Sequence, residues 1–179
     1  MKTSFKFKAL SVIVIACLFS ITAMAQMDSK ESKPKKPASP RDSVSGTIMS
    51  GAMLNINYGS PSVRKRKIWD GLVPYGKVWR TGANEATRFT TDKAIMVEGK
   101  QLAAGTYGFF AIPEADHWTI IFNSEPNQWG AFKYDSGKDV LRVTVTPKKG
   151  GRHERLVYKI NKKGFELDWA RLSVPVMVN

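Results

Sequence analysis

Residues 79–85 place an indole, a guanidinium, an amide and a carboxylate beside a glycine. Trp79 can stack on the face of a sugar or on a cation, while Arg80, Asn84 and Glu85 can fix hydroxyls or a carboxylate by hydrogen bonds. This mixture predicts a binding site for a polar ligand. The structural alternative is that Trp79 packs in the core and Arg80 pairs with Glu85, because long loops need internal polar contacts.

A comparable set of side chains follows in a second segment, where Asn127, Gln128 and Trp129 precede a glycine. If the two segments meet at one end of the fold, they form a cleft with two tryptophans, which favours a sugar as the ligand. The alternative is that Trp129 closes the end of the core, as aromatic side chains often do.

Four consecutive cations form the densest charge run of the chain, Arg64, Lys65, Arg66 and Lys67. Such a run can bind an anionic glycan, a lipopolysaccharide phosphate or an acidic partner. The expected export of the chain, argued below, disfavours nucleic acid. A solvated loop is the interpretation we favour for this run.

Catalytic and metal-binding patterns are sparse. Residues 113–117 collect two carboxylates and a histidine, but a polar hairpin turn explains them better, and the same holds for His153. No serine elbow or phosphate-binding glycine loop occurs, so we predict no catalytic residue, metal or cofactor. A carboxylate pair for glycoside cleavage stays open, with Glu85 acting beside Asp70 or Asp135.

The N-terminus has the layout of a secretory signal peptide over residues 1–25. Three lysines precede an apolar run at residues 9–21, and Ala23-Met24-Ala25 follows it. That run is about 13 residues long, short of the ~20 that a bilayer requires, so we expect no transmembrane helix in the mature chain. The alternative is a lipoprotein anchored at Cys17. The residues after Cys17 stay apolar, however, whereas a lipidated cysteine normally precedes a polar tether.

Composition narrows the class of partner. The 179 residues carry a net charge of +13, and removal of the signal peptide leaves 25 basic and 15 acidic residues. This excess predicts a glycan or an acidic envelope component as the partner of a periplasmic or extracellular protein. Because Cys17 is the one cysteine, the mature chain has no disulfide. Residues 26–41 are rich in lysine and proline and predict a linker, followed by a single domain at residues 42–179.

From residue 43 onward, the apolar pattern has a period of two. Leu141, Val143 and Val145 alternate with polar residues, which indicates a half-buried strand. Similar patterns predict an all-β fold of about ten antiparallel strands, as a two-sheet sandwich or jelly roll, with a closed barrel as the alternative. Residues 106–112 predict a central strand, residues 150–153 a turn, and Pro175 an edge or bulge.

Two long connections, residues 59–85 and 124–139, interrupt this rhythm and are the places to seek a site. The first contains Tyr-Gly-Lys-Val-Trp-Arg-Thr-Gly-Ala-Asn-Glu-Ala-Thr at residues 75–87. This segment resembles the signature of a bacterial family catalogued as domain of unknown function 2911, found in exported proteins of Gram-negative bacteria. The resemblance continues through residues 102–107, 118–123, 127–130 and 139–143. It implies a secreted domain without an assigned activity, and no catalytic residues to carry over.

Three hypotheses follow. The first is a non-catalytic β-sandwich that binds a polar or anionic ligand with Trp79, Arg80, Asn84, Glu85, Asn127 and Trp129. The second is a carbohydrate-active hydrolase that uses Glu85 as acid or base. The third is an envelope protein-interaction module whose long loops are structural.

Overall fold

A computed structural model describes residues 38–179 of the chain. The predicted signal peptide, Cys17 and most of the predicted linker lie outside the described residues. Arg41, the last residue of that linker, belongs to the first strand. No helix among residues 38–179 is long and apolar enough to cross a membrane.

Ten strands form the described domain, as the period-two pattern predicts, and the all-β class is confirmed. One short 3-10 helix, Ser136–Lys138, is the only helix among residues 38–179. The strands are β1 (Arg41–Thr47), β2 (Met53–Gly59), β3 (Thr87–Thr91), β4 (Ile95–Val97), β5 (Lys100–Leu102), β6 (Gly105–Pro113), β7 (Trp118–Asn123), β8 (Asp139–Val145), β9 (Lys148–Asn161) and β10 (Gly164–Met177).

The larger sheet has six antiparallel strands in the order β1-β2-β3-β6-β7-β8. Strand β6 pairs with β3 on one side and β7 on the other, so the predicted central position is confirmed. Each strand pairs with the next strand of the sheet along the chain. The two long loops leave this meander after β2 and after β7.

The second layer consists of the β9–β10 and β4–β5 hairpins. Strand β4 extends this layer, because Met96 and Asn179 exchange backbone hydrogen bonds of 2.7 and 3.0 Å beside β10. The two layers enclose one main core, and the described domain is sandwich-like without a closed barrel.

Four tryptophans form the aromatic centre of this core: Trp69, Trp79, Trp118 and Trp169. Their ring centroids lie between 5.0 and 6.0 Å apart, and Trp79 is stacked on Trp169 with an interplanar angle of 16°. Aromatic pairs in such geometries add stability beyond the area they bury. The first long loop thus contributes two of its own indoles to the core.

Two predictions in the second layer are wrong. Residues 150–153 lie inside β9 rather than in a turn. Residues 164–177 form one strand, although the alternation at residues 165–169 and the separate apolar run at residues 172–178 predict two. Gly150 is explained by crowding, since a Cβ there would lie 3.1 Å from the Ser173 amide nitrogen. Strand β10 stays continuous because register shifts around Ala170 absorb the change of alternation. Pro175 lies beyond the last β9 pair, at Ser173.

Candidate functional site

The two long loops meet at one end of the larger sheet. The Ala86 amide donates to the Gln128 carbonyl at 2.9 Å, and Glu85 forms an antiparallel bridge with Trp129. These contacts join the start of β3 to the second loop. The sequence predicts a cleft if the two loops meet, and these contacts bring them together.

A groove of about 400 Å³ lies at this junction. Side chains from β1, β3 and both long loops line it: Arg41, Glu85, Ala86, Arg88, Pro126, Asn127, Gln128 and Trp129. Three of the six predicted ligand-binding residues are in this set, namely Glu85, Asn127 and Trp129. Two arginines join them from strands.

Arg41 connects the groove to the sheet. Its Nη1 donates to Glu85 Oε2 at 3.2 Å, and its Nη2 donates to Asn57 Oδ1 on the neighbouring strand. The ion pair is partly exposed on both sides, so its contribution to stability is at most about 1 kcal/mol. Its main effect is to hold a carboxylate against one guanidinium and to neutralise it.

Arg88 is the less engaged cation of the groove. Its Nη1 lies 3.5 Å from Asn127 Oδ1, and this is its one side-chain hydrogen bond among residues 38–179. Trp129 lies on the same wall as Asn127, and 64% of its surface is exposed. A weakly held guanidinium beside an exposed indole is an arrangement that can accept an anionic group and an apolar ring face together.

Gln128 supports the groove from below and is 8% exposed. Its Nε2 donates to the Glu125 carbonyl at 2.8 Å, whereas its Oε1 has no hydrogen-bond partner among the described residues. An unpaired buried amide oxygen costs about 1–3 kcal/mol. This lining residue thus retains an unused acceptor.

The other three predicted ligand-binding residues lie outside the groove lining. Trp79 is in the core tryptophan cluster and is 9% exposed. Asn84 Nδ2 donates to the Ser39 carbonyl at 3.1 Å and ties the first loop to the chain before β1. Arg80 Nη1 lies 3.8 Å from the position of a Cβ at Gly130, beneath the second loop. Burial lowers the pKa of Arg80 from its ordinary value.

The first loop is held rigidly beside the groove by Thr81. This residue is fully buried and adopts φ 52°, a left-handed conformation that is rare for a β-branched side chain. Its hydroxyl donates to the Phe109 carbonyl at 2.9 Å, and its carbonyl accepts a 2.8 Å hydrogen bond from Tyr158. These contacts fix the backbone between Arg80 and Asn84, so the approach to Glu85 is preformed.

A polar network at Asp139 anchors the base of the second loop. Asp139 Oδ2 accepts from Tyr134 at 2.5 Å and from Arg142 Nε at 2.7 Å, and Oδ1 accepts from Asn123 at 2.8 Å. Burial and the Asp139 carboxylate raise the pKa of Tyr134 to about 12. Tyr134 also packs on Phe110, so the loop covers the outer face of the sheet there.

The basic run lies away from the groove lining, and two of its four cations are held within their own loop. Arg66 donates to the Ser62 carbonyl at 2.6 Å and to the Val63 carbonyl at 3.1 Å. Lys67 pairs with Asp70 at 3.1 Å. The Arg64 guanidinium lies 3.4 Å from the Ala38 carbonyl. These contacts hold the loop to itself and to the chain before β1.

The remaining candidate acids have structural contacts. Asp135 accepts from the Gly137 amide at 2.9 Å and caps the 3-10 helix. Asp116 lies in the turn between β6 and β7, where the hydrogen bond from His117 lowers its pKa. Within residues 38–179, no three His, Cys, Asp or Glu side chains are grouped so as to hold a metal ion.

Sequence reasoning missed Arg41 and Arg88 as lining residues, and it named Gln128 in the second segment without counting it among the ligand-binding residues. Arg88 carried a usable signal, because it lies between Thr87 and Phe89, which both face the core, so alternation places it on the outer face. Arg41 carried no such signal, because it continues the basic, proline-rich composition of the predicted linker. Its place in the groove depends on its pairing opposite Gly59.

A family model described as a protein of unknown function (DUF2911) matches residues 39–178. Comparisons with curated proteins and with solved structures give no match. The matched region includes every strand and both long loops that form the groove. The chain therefore belongs to the DUF2911 family of proteins of unknown function.

Proposed function

We propose that this protein is an exported, non-catalytic binder of a polar, anionic ligand of sugar type, and that the groove between the two long loops is its binding site. The observation that carries the proposal is the convergence of Arg88, Asn127 and Trp129 on one lining. Export rests on the N-terminal sequence pattern, and the bacterial cell envelope is the proposed location.

The chemistry of the lining favours an acidic sugar. Trp129 offers an exposed indole face for a pyranose ring, and Asn127 offers an amide for hydroxyl groups. Arg88 can pair with a carboxylate through charge-assisted hydrogen bonds. Glu85 is neutralised by Arg41, which leaves the groove with a net positive charge.

Binding is a better account of this groove than glycoside hydrolysis. Hydrolysis normally needs two carboxyl groups on either side of the scissile bond. The groove lining contains one, Glu85, and its Oε2 is 3.2 Å from Arg41 Nη1. Asp70 and Asp135, the suggested partners of Glu85, are not lining residues and hold Lys67 and the 3-10 helix instead.

The test is isothermal titration calorimetry of the purified protein with galacturonate, galactose and glucose 6-phosphate. We expect galacturonate to bind, galactose to bind weakly, and Arg88→Ala to weaken galacturonate binding by about tenfold or more, since a hydrogen bond to a charged group contributes about 1.5–3 kcal/mol. Arg152→Ala, an exposed arginine on β9, is the matched control and should leave binding unchanged. Absence of heat with all three probes would refute the proposal.

A protein-interaction role is the second candidate, and one residue favours it. Phe132 is 84% exposed at the tip of the second loop and is not a lining residue of the groove. Large exposed aromatic side chains are enriched in protein interfaces. Phe132→Ala should leave galacturonate binding unchanged if the groove alone binds the sugar. Loss of a co-purifying protein in this variant, with no sugar binding in the parent protein, would favour the interaction role.

A further inference from the structure

We infer that the groove is one end of a longer binding face on the outer surface of β1, β2, β3 and the start of β6, and that the ligand is a linear acidic oligosaccharide rather than a single sugar. This inference rests on the proposed function and adds the size and shape of the ligand. Apart from Arg88, it uses side chains to which neither the sequence nor the groove lining assigned a binding role.

Two rows of short polar side chains cross the sheet beside the groove. In the first row, Ser43 pairs with Asn57 and Asn57 with Arg88, so the row ends on the groove arginine. In the second row, the pairs run from β1 to β6 through Ser45, Asn55, Thr90 and Thr106. Side chains two residues apart on a strand share a face, so both rows belong to one surface.

This surface faces away from the core. The alternate residues Leu54, Ile56 and Phe89 are fully buried between the layers, whereas the members of the two rows are exposed or half-buried. Neighbouring strands lie about 4.8 Å apart and alternate residues about 6.7 Å apart. Four strands and two rows therefore present an area larger than one pyranose ring.

The second loop closes one side of this face and leaves the other open. A Cβ at Gly108 on β6 would lie 2.6 Å from the Glu125 carbonyl oxygen, so the loop rests directly on β6 at that point. Gly108 pairs with Arg88, which is therefore the first residue beside the loop wall. From Arg88 the surface continues over β2 and β1.

The side chains of the two rows retain hydrogen-bonding capacity for hydroxyl groups. Asn55 Nδ2 donates to Ser45 Oγ at 2.7 Å, and the Thr90 and Thr106 hydroxyls lie 3.0 Å apart. A hydroxyl has one donor and two acceptor positions, and an amide has two of each. These internal contacts orient the polar groups and use only part of that capacity, which suits sugar hydroxyls.

Any antiparallel sheet with one solvated side has a polar outer face. A polar face alone is therefore no evidence of binding, and what matters is which polar residues are present. Solvated faces are commonly rich in Lys and Glu. The surface of β9 and β10 includes such residues, because Lys159 is half exposed and its Nζ lies 3.7 Å from Glu166 Oε1. The two rows instead contain Ser, Thr and Asn with Arg88 as their one charge. The contrast within one molecule favours a face selected for neutral hydrogen bonding and one anionic contact.

The test is calorimetry of the full protein with galacturonate and with its linear α-1,4-linked dimer and tetramer. We expect the tetramer to bind about tenfold more tightly than the single sugar or better, which corresponds to about 1.4 kcal/mol. The double variant Asn55→Ala with Thr90→Val should lower tetramer affinity to that of the single sugar and leave single-sugar affinity unchanged. Thr144→Val on β8, at the far edge of the sheet, is the matched control.

The outcomes separate this inference from the proposed function. Equal affinity for the single sugar and the tetramer, with no effect of the double variant, would overturn the long face and leave the groove as a single-sugar site. No binding of any galacturonate would overturn both. A neutral cellotetraose that binds as tightly as the acidic tetramer would overturn the acidic character of the ligand. Urea unfolding of each variant shows whether a lost affinity reflects a lost fold.

Discussion

The two long loops make opposite use of the same residue types. The first loop directs Trp69 and Trp79 into the core and uses Arg66 to bond its own carbonyl groups. The second loop is fixed at its base by Asp139 and presents Trp129 and Phe132 to solvent. The first loop is therefore an extension of the core, and the second is an exposed tip on a rigid base.

This comparison shows that a dense run of charges in the sequence need not be available for binding. The run of four cations in the first loop is the most conspicuous basic feature of the sequence, yet Arg66 and Lys67 are occupied by contacts within the loop and none of the four lines the groove. Arg88 is a single cation within a strand and has one long hydrogen bond among residues 38–179. Arg88 is therefore identified as the candidate binding cation by its place in the groove lining together with its weakly used donors, which only the three-dimensional arrangement reveals.

The largest effect should come from Trp79→Ala. Removal of a buried indole stacked on Trp169 should lower the free energy of unfolding by about 3–5 kcal/mol. The matched variant Trp129→Ala should change it by less than about 0.5 kcal/mol, because that side chain is exposed. Urea unfolding monitored by circular dichroism measures both. Equal losses in the two variants would remove the distinction between the loops.

An intermediate effect is expected at the base of the second loop. Asp139→Ala leaves the Tyr134 hydroxyl without its acceptor and removes one of the two acceptors of Asn123 Nδ2, which should cost about 1–3 kcal/mol of stability. Lys67→Ala in the first loop removes only the exposed ion pair with Asp70 and should cost about 1 kcal/mol or less. The same unfolding measurement applies. Asp139→Ala should also raise hydrogen exchange in residues 124–138, and an unchanged exchange pattern would contradict the anchoring role.

The smallest effect is a difference in alkaline stability. The pKa is raised from 10.0 to about 12 in both Tyr58, at the end of β2, and Tyr134. The unfolded chain releases these protons first, so their stabilising contribution is complete below pH 10.0 and is lost as pH rises through about 12. Tyr134→Phe and Tyr58→Phe should each make the free energy of unfolding fall less steeply with pH in this window.

Tyr75→Phe is the control for the alkaline measurement, since it changes the number of tyrosines and leaves both Tyr58 and Tyr134 in place. Unfolding by urea at several pH values from neutral to about 11 gives the slope for each variant. A slope that is identical in all four proteins would show that neither Tyr58 nor Tyr134 has a different pKa in the folded and unfolded states.

The strands could be predicted from sequence because alternation reports burial directly. Leu141, Val143 and Val145 face the core as expected. The exceptions are Gly150, which permits close strand pairing and not a turn, and Ala170, where a left-handed residue keeps β10 continuous. Both depend on the partner strand, which local sequence does not specify.

The sequence predicted which loops contribute to the candidate site, but only some of the side chains that line it. Glu85, Asn127 and Trp129 were found because they lie in long polar connections, which often carry function. Trp79 has the same residue type and a similar context but is buried, since its direction is set by Trp118 and Trp169 on other strands. Arg41 and Arg88 reach the groove through strand register, which is a property of the assembled sheet.

The meander order of the larger sheet also bears on how the chain folds. The β1–β2, β6–β7 and β9–β10 pairs each join strands that are consecutive in the chain, so much of the pairing closes over short separations. Proteins with more local contacts fold faster than those dominated by distant pairings. The distant steps are the docking of β9 against Ser62 and of the chain end beside β4. We therefore expect the hairpins to form before the two layers close over the tryptophan cluster.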